Sequence, residues 1–174
     1  MLKVIFLDID GVLNSETYAK RFHEENLGEK GNHIFVDPDA VELVRKLCDE
    51  NDVKIVLSSS WRSHNLKYTL VELAYYRDLA PILKYIIGIT PRSVDRIRGV
   101  EIESVLGNWN LCVQNEFIDP EYTGHQNDVN YVIIDDDSDM LDDQKEHFVQ
   151  TDWFVGITED DINKVKQILK LWQK

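Results

Sequence analysis

The sequence predicts an α/β protein built on a mainly parallel sheet. Three observations carry that prediction. Short apolar, β-branched runs recur at residues 3–8, 53–60 and 131–137. Amphipathic helical patterns separate them, which is the alternation expected of a parallel sheet with helices on both faces. Each of those runs also stops on a polar residue, at Asp8, Ser58 and Asp135. In such sheets ligands bind beyond the carboxyl ends of the strands, so three polar strand ends converge on one candidate site.

The elements follow in order. Val4, Ile5, Phe6 and Leu7 form a first buried strand over 3–8. Residues 15–36 are polar, contain Gly28 and Gly31, and read as a loop or short flap. Residues 37–51 form a helix: Asp37 or Asp39 caps it, Pro38 suits its first turn, and Val41, Leu43, Val44 and Leu47 share a face. Residues 53–60 are a second buried strand. An amphipathic helix spans 64–79 and ends at Pro81. A third strand covers 84–90, a short helix 99–109, and a polar loop 110–129. The strand at 131–137 follows, then a strand over 153–158. A final helix runs 158–172, with Thr158 and Asp161 set for a capping box. At 174 residues the chain reads as one domain. The stretch after the first strand is about twenty residues, too short to fold alone as a cap domain.

Composition narrows the function. The net charge is −13, from 32 acidic and 19 basic residues. That excludes a nonspecific nucleic-acid coat, which needs a basic surface, but allows one nucleic-acid end in a local pocket. No stretch is long and apolar enough to span a membrane, and charges interrupt the first apolar run where a signal peptide would need continuity. Cys48 and Cys112 read as reduced thiols, and a cytoplasmic location is expected. The five histidines have no ligand-like spacing.

The strand ends supply the chemistry. Asp8 and Asp10, two apart in extended chain, point the same way, and Gly11 permits a tight turn or a close ligand approach. One carboxylate of such a pair can attack phosphorus, and the other can protonate a leaving oxygen and then activate water. Asp135 and Asp136 end a second buried strand with the hard oxygen ligands that Mg²⁺ prefers. Ser138 or Asp139 is expected at a helix start, and Asp142 and Asp143 on a solvated face. Ser58, the first polar residue of "LSSSWR", is the expected phosphate contact, with Ser59 and Arg62 at the substrate. Trp61 reads as core packing. A phosphoryl-transfer site also needs a fixed cation. Arg92, Arg96 and Arg98 compete for that part, and Arg98, just before a predicted helix, is favoured.

Together "DIDGV", "VLSSS" and "VIIDD" resemble, in order, the first, second and fourth motifs of the haloacid dehalogenase (HAD) superfamily. The third motif is usually a lysine, and here an arginine stands in. "LDIDGVLN", "KIVLSSSWR", "RGVEI" and "VIIDDDSDM", followed by "GIT", are similar to the HAD domain of Swiss Army Knife RNA repair proteins over essentially the whole chain. The resemblance implies a HAD-like Rossmannoid three-layer sandwich without a large cap domain. It implies a Mg²⁺-dependent phosphatase, since an aspartate at the position of Asp10 marks phosphatases and phosphomutases. Asp8 is then the nucleophile and a metal ligand. Asp10 is the general acid/base and lends its backbone carbonyl to the metal. Ser58 binds the phosphoryl group, Arg98 balances charge, and Asp135 with Asp136 completes the metal site. The implied substrate is a phosphorylated RNA or DNA end or a nucleotide. A small-metabolite phosphatase and a non-catalytic binding module are the alternatives, and no oligomeric state is implied.

Overall fold

The computed structural model describes residues 1–25 and 36–171. The elements are β1 (Leu2–Leu7), α1 (Glu16–Glu25), α2 (Pro38–Asn51), β2 (Val53–Leu57), α3 (Leu66–Leu73), α4 (Ala80–Leu83), β3 (Ile86–Ile89), α5 (Arg98–Gly107), α6 (Trp109–Gln114), β4 (Val129–Asp135), β5 (Phe148–Gln150) and α7 (Glu159–Ile168). The five strands form one sheet in the order β3-β2-β1-β4-β5, and every pairing is parallel.

Strands buried on both faces explain the continuous apolar runs. Ile5 and Leu7 of β1 join Ile55 and Leu57 of β2 and Val132 and Ile134 of β4 on one face, against Val44 and Leu47 of α2 and Val165 of α7. Val4 and Phe6 point the other way with Val56 and Ile133, against Ile102 and Val105 of α5 and Trp109 of α6. This is a helix–sheet–helix sandwich. Fully burying one such Leu, Ile or Phe side chain contributes about 1.5–3 kcal/mol. Cys48 and Cys112 are buried free thiols on opposite faces. No described helix is long and apolar enough to cross a membrane.

Local signals set the helix starts. Asp37 accepts from the Asp39 amide and caps α2, with Pro38 in the first turn. Thr158 and Asp161 close the capping box of α7.

Several expectations are corrected. The segment read as a loop or flap at 15–36 opens with α1, whose Ala19 amide bonds the Ser15 carbonyl; residues 26–35 lie outside the described residues. The helix expected over 64–79 ends at Leu73, and Pro81 stands in the first turn of α4 rather than terminating its predecessor. Pro is tolerated there because the first helical amides lack intrahelical acceptors. The strand expected over 153–158 does not form. Phe148–Gln150 takes the sheet edge instead, paired with Ile133–Asp135, while 152–156 makes a turn closed by the Asp152–Gly156 bridge. Gly156 supports it with φ +81°, a left-handed conformation that side chains disfavour. Asp139 starts no helix of its own. Its carboxylate accepts from the Arg98 amide, 2.8 Å away, and so serves the start of α5.

Candidate active site

β1 lies at the centre of the sheet, hydrogen-bonded to β2 and β4 along its length. Its ladder ends at Leu7, opposite Leu57 and Ile134, so Asp8, Ser58 and Asp135 emerge side by side. The Asp8 amide still donates to Ile134 O (3.0 Å) and the Ser58 amide to Leu7 O (2.8 Å), which pins both residues at the edge. Beyond Asp10 the chain turns at Gly11, φ +67°. A Cβ there would stand 2.4 Å from the Asp136 carboxyl carbon, so glycine is what lets the β4 acid pack against this turn.

Carboxylate oxygens of Asp8, Asp135 and Asp136 all lie within 4.8 Å of one another. Asp8 is 5% exposed and Asp135 only 1%. Asp8 Oδ1 and Asp135 Oδ2 are buried and accept no hydrogen bond. Arg98, from the start of α5, is the cation beside them. Its Nε is 3.2 Å from Asp135 Oδ2 and its Nη2 3.8 Å from Asp8 Oδ1, ion pairs without hydrogen-bond alignment. One guanidinium thus pairs with two of the three clustered carboxylates.

The charge imbalance shows in their acidity. Burial pushes Asp8 up to about 6, with the Ser59 hydroxyl and the Arg98 charge pulling the other way. Burial, then repulsion from Asp8, pushes Asp135 up to about 8. Asp136 is raised too, by burial and then by Asp137. Buried oxygens without donors cost free energy unless a partner arrives. Three hard carboxylate ligands with two orphaned oxygens fit a divalent cation.

Asp10 is exposed and points to a different set of partners. It accepts from Asn14 Nδ2 (2.9 Å), Ser60 Oγ (3.0 Å) and Trp61 Nε1, which sits 3.0 Å from both carboxylate oxygens. Asn14 in turn accepts from the Gly11 amide, tying Asp10 to its own turn. Trp61 packs against the core as expected, but at its margin: it is half-buried, its ring rests on Tyr76 with centroids 5.0 Å apart, and its N–H also serves Asp10. The available signal was the polar handle of tryptophan, whose N–H finds a partner when the ring packs.

Ser58 is buried, its hydroxyl 3.4 Å from that of Thr90 at the end of β3. Ser59 is buried beside Asp8 and accepts from the Trp61 amide (3.3 Å). Arg62, expected at the substrate, has its side chain turned into the protein. It is 4% exposed, bonded to the Thr90 carbonyl (2.8 Å), the Ser59 carbonyl and the Glu101 carboxylate. The guanidinium turns inward because Glu101 and the carbonyls of its own loop replace the water it gives up. Glu101, which sequence reasoning missed, also accepts from the Ser93 amide (2.9 Å) and lies 3.5 Å from Arg98 Nη1. It links the loop after β2 to the arginine at the acid cluster. Arg92 Nη2 donates to the Ser60 and Arg62 carbonyls (3.1 and 2.8 Å), while Arg96 is exposed with a left-handed backbone, φ +55°. Of the three candidate arginines, Arg98 is the one ion-paired with Asp8 and Asp135.

Compared with known proteins, residues 4–162 match the family described as "HAD domain in Swiss Army Knife RNA repair proteins". No curated protein and no solved structure matches the chain.

Proposed function

The chain belongs to the family of HAD domains found in Swiss Army Knife RNA repair proteins, and on that premise we propose that it is a Mg²⁺-dependent phosphomonoesterase working through an aspartyl phosphate on Asp8. HAD membership carries the coarse statement, a hydrolase of phosphorylated substrates. The finer reading rests on one observation: two buried, donorless carboxylate oxygens, on Asp8 and Asp135, in a three-carboxylate cluster beside Arg98.

Asp8, Asp135 and Asp136 would hold the cation, with the Asp10 carbonyl as a further ligand. Once bound, Mg²⁺ supplies positive charge that offsets repulsion between the phosphate and the carboxylates. The chain's own groups do the rest. The Asp8 carboxylate attacks phosphorus in line, a new P–O bond forms, and the ester P–O bond to the leaving group breaks. Asp10, in its protonated form, gives its proton to the departing oxygen. Asp10, now ionised, takes a proton from water as that water attacks the phosphoryl group, which releases phosphate and frees Asp8. Ser58 and the amides after it receive the phosphoryl oxygens, with Ser59 beside Asp8. Arg98 balances charge on the cluster. The hydrogen bonds from Asn14, Ser60 and Trp61 fix where Asp10 can act.

The proposed substrate is a phosphorylated RNA or DNA end, or a nucleotide. What supports it is the repair-protein family and the exposure of Asp10, which leaves the leaving-group side accessible to a bulky substrate. The test is turnover, with and without Mg²⁺, of 3′- and 5′-phosphorylated oligonucleotides, mononucleotides and sugar phosphates. Mg²⁺-dependent phosphate release that Asp8→Asn abolishes is the expected result. Undiminished turnover in excess chelator or by Asp8→Asn sinks the mechanism. A sugar phosphate preferred by orders of magnitude sinks the substrate reading alone.

A further inference from the structure

A cleft of about 500 Å³ opens directly off the acid cluster. Its lining includes Gly11 and Asp136, Glu16, Ala19 and His23 of α1, and Trp153. We infer that this cleft receives the nucleobase of the substrate, stacked on Trp153, and so selects base-bearing phosphomonoesters. The inference rests on the phosphatase reading above and adds a specificity-determining residue to it.

Trp153 is the first of three successive exposed apolar residues, with Phe154 and Val155, on a chain of net charge −13. It is 59% exposed. The turn that carries it is nevertheless tightly held. Asp152 O accepts from the Gly156 amide (2.7 Å) and Asp152 Oδ1 from the Phe154 amide (2.9 Å). Thr17 donates to Phe154 O through both its amide (3.0 Å) and its hydroxyl (2.7 Å), which fastens the turn to α1. The Phe154 ring stands edge-on to the indole, centroids 5.8 Å apart. A large aromatic residue is therefore kept out of the core and held in the lining of a cleft that shares Asp136 with the proposed metal site.

That combination fits a heteroaromatic ring better than a purely apolar chain. Stacking on an indole is indifferent to the identity of the base, because every base has a π-face. The Glu16 carboxylate in the cleft lining can accept a hydrogen bond from a ring edge, which an alkyl group cannot donate. Asp136 and Asn14, whose amide bonds the Asp10 carboxylate (2.9 Å), both line the cleft, so it adjoins the proposed metal site and the proposed proton donor to the leaving group.

The experiment is a calorimetric titration of Asp8→Asn protein with Mg²⁺, using a nucleoside 3′-monophosphate, a short 3′-phosphorylated oligonucleotide, and ribose phosphate. Stacking of one base corresponds to a preference of about ten- to hundredfold. Both base-bearing ligands should therefore bind that much more tightly than ribose phosphate. Adding Trp153→Ala should erase the preference, and Trp153→Phe should keep most of it. Because Trp153 is exposed, its replacement should leave the melting temperature nearly unchanged. A preference that survives Trp153→Ala, or no preference in the parent protein, overturns the inference. Tighter binding of the oligonucleotide than of the mononucleotide assigns the site to a nucleic-acid end, and the reverse to free nucleotides; either supports stacking. Turnover of ribose phosphate by the wild-type chain tests the phosphatase reading separately, since it does not involve Trp153.

Discussion

Replacing Asp8 by asparagine should make the cation-free protein more stable, although it removes the proposed nucleophile. The reason is the cost of holding this carboxylate ionised at 5% exposure. Its folded-state value is raised to about 6 from 3.8. A raised carboxylate lowers stability as pH climbs: the unfolded chain ionises first, near 3.8, while the folded chain still holds its proton. The penalty grows through that window and is complete above about 6. A shift of roughly two units corresponds to about 3 kcal/mol at pH 8 and to about half that at pH 5. Asparagine has nearly the same shape and no charge, so in chelator Asp8→Asn should gain on the order of 2–3 kcal/mol at pH 8. For a chain of this length that raises Tm by about 5–10 °C. The gain should shrink at pH 5. With Mg²⁺ at about 1,000 times its Kd the order should reverse, because that stabilises the wild type by about 4.1 kcal/mol while asparagine offers the cation a neutral amide oxygen in place of a carboxylate. Urea or thermal unfolding in EDTA at the two pH values, repeated with Mg²⁺, measures each part. An Asp8→Asn protein less stable than wild type in EDTA at pH 8, or a gain independent of pH, refutes the reasoning.

Asp10→Asn should slow turnover by about 10²–10⁴-fold, most for substrates with poor leaving groups, and equal losses across leaving groups in single-turnover assays would contradict proton transfer. Arg62→Ala should cost about 3 kcal/mol, because it removes the closest ion pair of the buried Glu101 carboxylate and leaves it Arg98 at 3.5 Å and the Ser93 amide; the loss should appear in denaturation and touch all substrates, whereas a defect confined to oligonucleotides in an otherwise stable protein would restore Arg62 to the substrate. The acidic surface limits phosphate contacts, so log kcat/KM for a single-stranded end should fall with log salt at a slope of only about −0.7 per contacted phosphate. A slope corresponding to six or more contacts would show that a basic tract has been overlooked.

The central strands and their terminal acids were legible in the chain itself. A strand buried on both faces must be apolar at nearly every position, so "VIFL" and "VIID" announce themselves, and the polar residue that follows marks the strand end. Asp8, Ser58 and Asp135 could be placed at one edge on that ground alone, as could the cap at Thr158 and the pair Asp37 and Asp39 as alternatives for the other, because a cap bonds a backbone amide two or three residues away. Partners remote in sequence could not be read. Trp61 and Asp10 are 51 positions apart, Arg62 and Glu101 39, and Arg98 and Asp139 41. Nothing in the composition of "SSSWR" says that its tryptophan faces the site and its arginine the interior. That choice follows from where the ends of β1 and β3 and the start of α5 bring carboxylates and carbonyls able to replace lost water. The edge strand was misread for a related reason. Residues 153–158 read as the apolar strand, but hydrogen bonding to the β4 edge pairs Phe148–Gln150 instead, and Gly156 turns the later segment back toward α1 with its tryptophan lining the cleft.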